Sequence, residues 1–321
     1  MIAPLSMDAW EAFDASTPAP TFFARPAFAK AYAQAVAGYE PHPIEVRLRG
    51  ERYIVPALRS VARIGFTEIS AFPLGGYGCV MDAGGRLADA TDASAVLETI
   101  AHHVGQLEFT PWPLGPQPSI GGKTRAATTA VIDCAGGLES AMSAMRGVTR
   151  RMAGQALRRG ITCELAPRTD AGADRYYEIL QEASEHWGLE HPTISRELVR
   201  AVLRQGNGDA ELWFALLDGE PVAGGLVLFG ASELFFWSAA MRREFSQYRP
   251  SNALNVRLLE RACERGVRWY NLGASEGLAG VERFKHDLGA RDVEYRAIVS
   301  SANHYRMYLR VRAMIGALVP S

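Results

Sequence analysis

The sequence has 321 residues and a formal net charge of −1. That length suits two domains of ~150 residues each, and 48% apolar with 21% charged residues describes a folded chain rather than a disordered one. Near-neutral charge excludes a globally basic nucleic-acid binder, so no DNA partner is expected and any polyanion must be held by a local patch. Cys79, Cys134, Cys163 and Cys263 form no C-x-x-C pair. That spacing argues against a zinc site or a disulfide framework and fits a reducing, cytoplasmic setting. The N-terminus has neither a basic n-region nor an apolar h-region, so no signal peptide is expected. No uncharged apolar run reaches ~18 residues.

In chain order, helical patterns come first, at about 8–15 and 26–36, with Pro26 suited to a first helical position. Strand-like runs follow at about 44–48, 53–59 and 66–71. A Gly-rich segment, Pro73-Leu74-Gly75-Gly76-Tyr77-Gly78, precedes a helix at about 93–106, a Pro/Gly loop and a strand at 127–133. Leu138, Met142, Met145 and Met152 recur on one face of a single expected helix that Gly160 ends. A short strand (161–165) and two helices (about 173–187 and 195–205) come next. Strands at 211–217 and 222–229 flank Asp218-Gly219, a strong hairpin signal. A third strand (233–240) and a polar loop (242–250) lead into a helix near Ser251. That helix buries Leu254, Leu258 and Ala262 and stops at Gly266. A strand (267–272), a helix (281–288) and a strand (293–299) close the unit. The order β-β-β-loop-α-β-α-β is a mixed α/β layout. Its antiparallel meander gives way to a helical crossover, where a cleft tends to open between strands.

The stretch Tyr248–Gly289, YRPSNALNVRLLERACERGVRWYNLGASEGLAGVERFKHDLG, resembles the Fem-like branch of the Gcn5-related N-acetyltransferase (GNAT) superfamily, down to the terminal F-K-x-x-x-G at Phe284–Gly289. Arg150-Arg151 with Ala156–Gly160 is similar to the family's basic helix, and Leu217–Gly225 to its second-domain hairpin. Trp10, Phe22-Phe23, Pro26 and Gly75-Gly76 are weaker matches. The resemblance implies two tandem GNAT-like domains, each a mixed, mostly antiparallel sheet flanked by helices. They are expected at 1–137, completed by 300–321, and at 138–300, the latter carrying the donor or acceptor site. It implies an acyltransferase or aminoacyltransferase acting on an amine without a covalent enzyme intermediate. No tightly bound cofactor is expected, only a co-substrate, aminoacyl-tRNA or acyl-CoA. The chain departs from the pattern twice. The loop before the central helix, Gln247–Ala253, lacks the glycines that cradle pyrophosphate in coenzyme-A enzymes. Asn271 stands where relatives often have Asp.

Lys285 is the first candidate, a cation for substrate phosphates or for a tetrahedral oxyanion, set against a solvated lysine on a short helix. Arg242, Arg243 and Arg249 feed a helix start, which with Ser251 and Asn252 attracts anions. The plain alternative is a charged surface loop. Tyr248 is a candidate general acid or orienting donor, or merely a packed aromatic. Glu276 is a candidate base for the incoming ammonium, though loop glutamates are usually just solvated. Arg150 and Arg151, with Arg146, Arg158 and Arg159, suit a tRNA or nucleotide-linked ligand, or simply form a solvated face. No G-x-S-x-G is present. His186 and His191 span a Gly and a Pro and lack a third ligand, so no metal site is expected. The basic, apolar stretch 305–319 suits a docking helix or peripheral membrane contact. Expected partners are an amine acceptor and charged tRNA, an acyl-CoA or an acyl carrier protein. An inactive binding module on the same fold is the alternative from another class.

Overall fold

The structure is a computed structural model that describes residues 1–60, 67–275, 277–302 and 305. The first half contains β1 (Ile2–Pro4), α1 (Met7–Ser16), a 3-10 turn (Phe22–Ala24), α2 (Pro26–Ala35), β2 (Tyr39–Pro41), β3 (Ile44–Leu48), β4 (Glu51–Val55), β5 (Leu58–Ser60), β6 (Glu68–Ala71), β7 (Met81–Asp82), α3 (Ala90–His103), β8 (Gln106–Phe109) and β9 (Lys123–Asp133). The second half continues with α4 (Gly137–Ala144), α5 (Gly147–Arg158), β10 (Thr162–Leu165), α6 (Asp170–His186), α7 (Arg196–Gln205), β11 (Ala210–Leu217), β12 (Glu220–Phe229) and β13 (Glu233–Met241). After a 3-10 turn (Arg243–Tyr248) come α8 (Pro250–Glu264), β14 (Trp269–Asn271), α9 (Ala279–Asp287) and β15 (Arg291–Ser301).

Local chemistry sets many of these boundaries. Ser6, Asp89, Thr169 and Ser195 each accept a backbone N–H at a helix start. The β11–β12 hairpin turns on Asp218 and Gly219 at φ 53° and 83°, the twisted geometry that Asp-Gly favours. The run expected as one strand at 53–59 is two. Pro56 offers no N–H to a ladder, and the chain passes there from a four-stranded sheet (β1-β3-β4-β7) into a larger one. The single helix expected from 138 to 160 is also two. Met145 and Arg146 are non-helical, at ψ 137°, and Gly289 packs where its added Cβ would lie 2.9 Å from the Ala144 carbonyl carbon. Leu138 is consequently exposed while Ala141 and Met145 are buried.

The larger sheet runs β10-β11-β12-β13-β14-β9-β15-β8-β6-β5-β2. It is mostly antiparallel, with parallel pairing at β13–β14 and β6–β8. β9 lies before residue 138 in sequence yet inserts between β14 and β15. The last residues of β15, Ile298–Ser301, pair with β8 in the first half. One apolar core joins both halves, from Trp10, Phe22, Phe23 and Phe28 through Tyr77 to α6, α7 and Phe235. A second core lies under α8, and a third packs α3 against β3, β4, β6 and β8. The halves also meet through backbone: Ala231 and Ser232 donate to the carbonyls of Ala19 and Pro20 at 2.9 and 3.1 Å. Arg25 bridges Asp14 and Asp209, and Arg265 extends that chain to Asp209 and Glu211.

Candidate active site

The expected opening lies between β13 and β14. Their parallel ladder holds from Glu233↔Trp269 to Phe235↔Asn271, whereas β13 continues to Met241 against β12 alone. The β12 register slips between Leu226↔Ser238 and Val227↔Phe236, which leaves Trp237 as the extra residue of a bulge. A bulge bends and re-aims its strand, and here the Trp237 indole N–H reaches the Leu74 carbonyl at 2.9 Å. The Gly-rich segment of the first half therefore walls one side of the opening. Its backbone is tightly turned, with Phe72 and Leu74 at φ 63° and 60°. Gly76 is required there, because an added Cβ would fall 2.6 Å from the Phe72 Cβ.

The other side is α8. Its N-cap is Arg249, left-handed at φ 61° and without a side-chain cap, followed by Pro250 at N1. Proline supplies no N–H, and those of Asn252 and Ala253 turn back on the Arg249 carbonyl. The helix start thus offers an anion few backbone donors. Arg249 is exposed, and Tyr248 packs beside Phe245, ring centroids 6.4 Å apart. Ser251 Oγ donates to the Met241 sulfur at 3.4 Å. The Asn252 side chain is buried.

Arg242 and Arg243 are turned elsewhere. Arg242 pairs with Glu182 of α6 at 3.3 Å, and Arg243 lies against the His186 ring at 2.7 Å. Both fasten the loop to α6. α5 is tied at both ends: Arg146 pairs with Asp287 of α9 at 2.7 Å, and Arg159 donates to the Gln247 carbonyl at 2.8 Å. Between these anchors, Arg150 donates to the Met142 carbonyl at the end of α4, and the exposed Arg151 and Arg158 have no ion pair among the described residues.

Lys285 is buried, 7% exposed. Its ammonium donates to the carbonyls of Gly273 at 2.9 Å and Ala274 at 2.8 Å, so it grips the turn that leaves β14. The solvated-lysine alternative does not describe it. Glu276 lies outside the described residues, as do 306–321 and most of the stretch considered for membrane contact.

The residues that sequence reasoning missed are the polar ones buried between the halves. Asn271, fully buried, accepts from Thr129 Oγ1 at 2.6 Å and from the Gly273 N–H at 2.9 Å. Its amide nitrogen donates to Glu233 at 3.0 Å, and the Tyr77 hydroxyl donates to Thr129 at 3.3 Å. Burial raises the Glu233 carboxyl above the usual carboxylate range and pushes the Tyr77 hydroxyl well up. The sequence sets Asn271 apart as a departure from the family pattern, but no periodicity marks Glu233, Thr129 or Tyr77 as its neighbours. Burial also raises the thiols, those of Cys134 and Cys163 to about 12, which makes poor nucleophiles of them. Among the described residues, Glu282, His286 and Asp292 bring one ligand atom each within 4.8 Å of the others, all of them exposed. No helix of the described residues is long and apolar enough to cross a membrane.

Residues 143–286 match the acetyltransferase (GNAT) domain family. No curated protein matches in sequence. Among solved structures, FemX aligns at TM-score 0.71 and 14% identity, over 96% of this chain and 99% of that one. The C-terminal domain of a putative lysylphosphatidylglycerol synthetase from Agrobacterium fabrum aligns at 0.53 and 11%, covering 88% and 90%. A tandem GNAT protein from the clavulanic acid biosynthesis pathway aligns at 0.51 and 14%, covering 94% and 98%. The second half of the chain thus matches a GNAT domain, and the chain as a whole has the fold of FemX and of the tandem GNAT protein.

Proposed function

We propose that the protein transfers an activated aminoacyl or acyl group to an amine acceptor by direct attack, in the opening between β13 and β14. The observation that carries this reading is a strand pair that parts beside a helix start, with a buried ammonium gripping the turn at the end of β14. Amine acylation needs the reactants held in line and positive charge or N–H donors near the developing oxyanion. Lys285 supplies that charge, and Tyr248 beside the helix start supplies a donor to the leaving group. Glu276 is the proposed base for the incoming ammonium. The Gly-rich wall at 73–78 and Trp237 shape the acceptor side.

The donor proposed first is aminoacyl-tRNA. The α8 start lacks glycines, begins with a proline, and turns the Asn252 and Ala253 N–H groups back on the Arg249 carbonyl, a poor cradle for pyrophosphate. The exposed Arg151 and Arg158 lie seven residues apart on one face of α5, ~10 Å along its axis, and with the exposed Arg249 at the α8 start they suit an extended polyanion. Acyl-CoA, or an acyl carrier protein, is the second reading, favoured by the match of residues 143–286 to the acetyltransferase family.

Two measurements test this. A ligand that binds only the folded state raises the melting temperature. Charged tRNA is expected to raise it and coenzyme A to leave it in place; the reverse result makes acyl-CoA the donor. In a working transfer assay, Lys285→Ala is expected to lower kcat/KM by ~10²-fold, the scale of one oxyanion donor. Turnover of that variant at the parent's rate would sink the reading.

A further inference from the structure

The post-β14 turn that Lys285 grips is also held by a buried chain of side chains that ends in a carboxyl. Glu233 and Asn271 occupy the same face at neighbouring positions of the parallel ladder, where Glu233 pairs with Trp269 and Phe235 with Asn271. Both are 0% exposed. The Asn271 amide is fixed in orientation. Its oxygen accepts from Thr129 and from the Gly273 N–H, and its nitrogen donates to Glu233 Oε2 at 3.0 Å. The Gly273 carbonyl in turn receives the Lys285 ammonium at 2.9 Å. We propose that Glu233 is a positioning residue: through Asn271 it sets the Gly273–Ala274 turn, and through that turn the place of Lys285.

The surroundings define the form in which it acts. Thr21 and Trp112 of the first half face the carboxyl, yet Oε1 itself closes no hydrogen bond of good geometry. The titratable groups facing Glu233 are Tyr77 and Cys79, both acids that burial keeps protonated. Among the described residues no guanidinium or ammonium pairs with Glu233. An unpaired buried carboxylate is costly enough that the group holds its proton instead. A neutral acid still offers Asn271 a carbonyl oxygen, and glutamine offers the same oxygen in the same place. An unbranched apolar side chain offers none and strands a buried N–H, which loosens what that N–H helped to hold.

The inference rests on the transferase reading for its purpose but not for its test. Backbone hydrogen exchange needs no substrate. In Glu233→Met, amides at 272–275 are expected to exchange at least tenfold faster than in the parent, with α8 and β12 unchanged; in Glu233→Gln they keep the parent's rate. Should Glu233→Met fail to fold, Glu233→Asp withdraws the carboxyl by one methylene and is expected to speed the same amides. Unchanged exchange at 272–275 in the variant that folds overturns the proposal, and so does Glu233→Gln exchanging as fast as it does. Activity adds the link to Lys285. The kcat losses of Glu233→Met and Lys285→Ala are expected to be non-additive, since both act through one turn. Fully additive losses overturn that link. Parent-rate turnover of Lys285→Ala, with exchange as expected, instead removes the transferase reading and leaves the positioning of the turn standing.

Discussion

At the scale of single residues, the site is governed by burial rather than by charge count. The chain carries 34 Lys and Arg, yet the cation at the β14 turn is one lysine held by two carbonyls, while Arg242 and Arg243 are taken up by α6. Glu233 gives a pH-dependent prediction. Its folded-state affinity for the proton is raised by burial. Below the ordinary glutamate value of ~4.3 it is neutral in both the folded and the unfolded states and costs nothing. As the pH rises above that value the unfolded chain releases the proton and the folded one keeps it, so the parent loses stability. A glutamine side chain at that position titrates in neither state. The melting temperature of Glu233→Gln minus that of the parent is therefore expected to widen from pH 4 to pH 8. A gap that stays constant with pH would show that the carboxyl is ionised in both states.

At the scale of elements, the break between α4 and α5 sets where the arginine helix lies. Gly289 sits at φ 90°, against the Ala144 carbonyl. An alanine there must displace backbone, and overpacking of this kind costs ~1–3 kcal/mol. Gly289→Ala is expected to lower the unfolding free energy by about that amount in urea and to misplace α5, raising the donor KM more than it lowers kcat. Arg159 ties the end of α5 to the loop before α8. Loss of that tie in Arg159→Ala is expected to speed exchange at 243–249 with little change in melting temperature, because an exposed side-chain contact contributes ~1 kcal/mol or less. A large drop in melting temperature would show that the tie holds the fold rather than the loop.

At the scale of the molecule, the two halves share a sheet and a core. β9 inserts between β14 and β15, and β15 ends on β8. A fragment that starts at residue 138 lacks β9 and would present two unpaired edges, which invite aggregation. Such a fragment is expected to be insoluble, and one starting at residue 123 better behaved, measured by the soluble fraction after expression. If charged tRNA is bound, replacing Arg151, Arg158 or Arg249 with alanine is expected to reduce the slope of log affinity against log salt by ~1 per phosphate contact removed. An unchanged slope would take those arginines off the polyanion path.

The sequence by itself determined the tandem GNAT-like architecture and most element positions from α5 onward. Helix periodicity, the Asp218-Gly219 turn and the Gly266 stop are local signals, and local chemistry fixes them. It also singled out Lys285 through its F-K-x-x-x-G setting. Tertiary structure alone decided the rest. The split at Pro56 and the kink at Met145 follow from which sheet or glycine lies opposite. The cluster of Glu233, Asn271, Thr129 and Tyr77 joins residues up to 194 positions apart along the chain, between Tyr77 and Asn271. Hydrogen bonds of that range leave no trace in spacing, because each partner is buried by packing that only the folded chain creates.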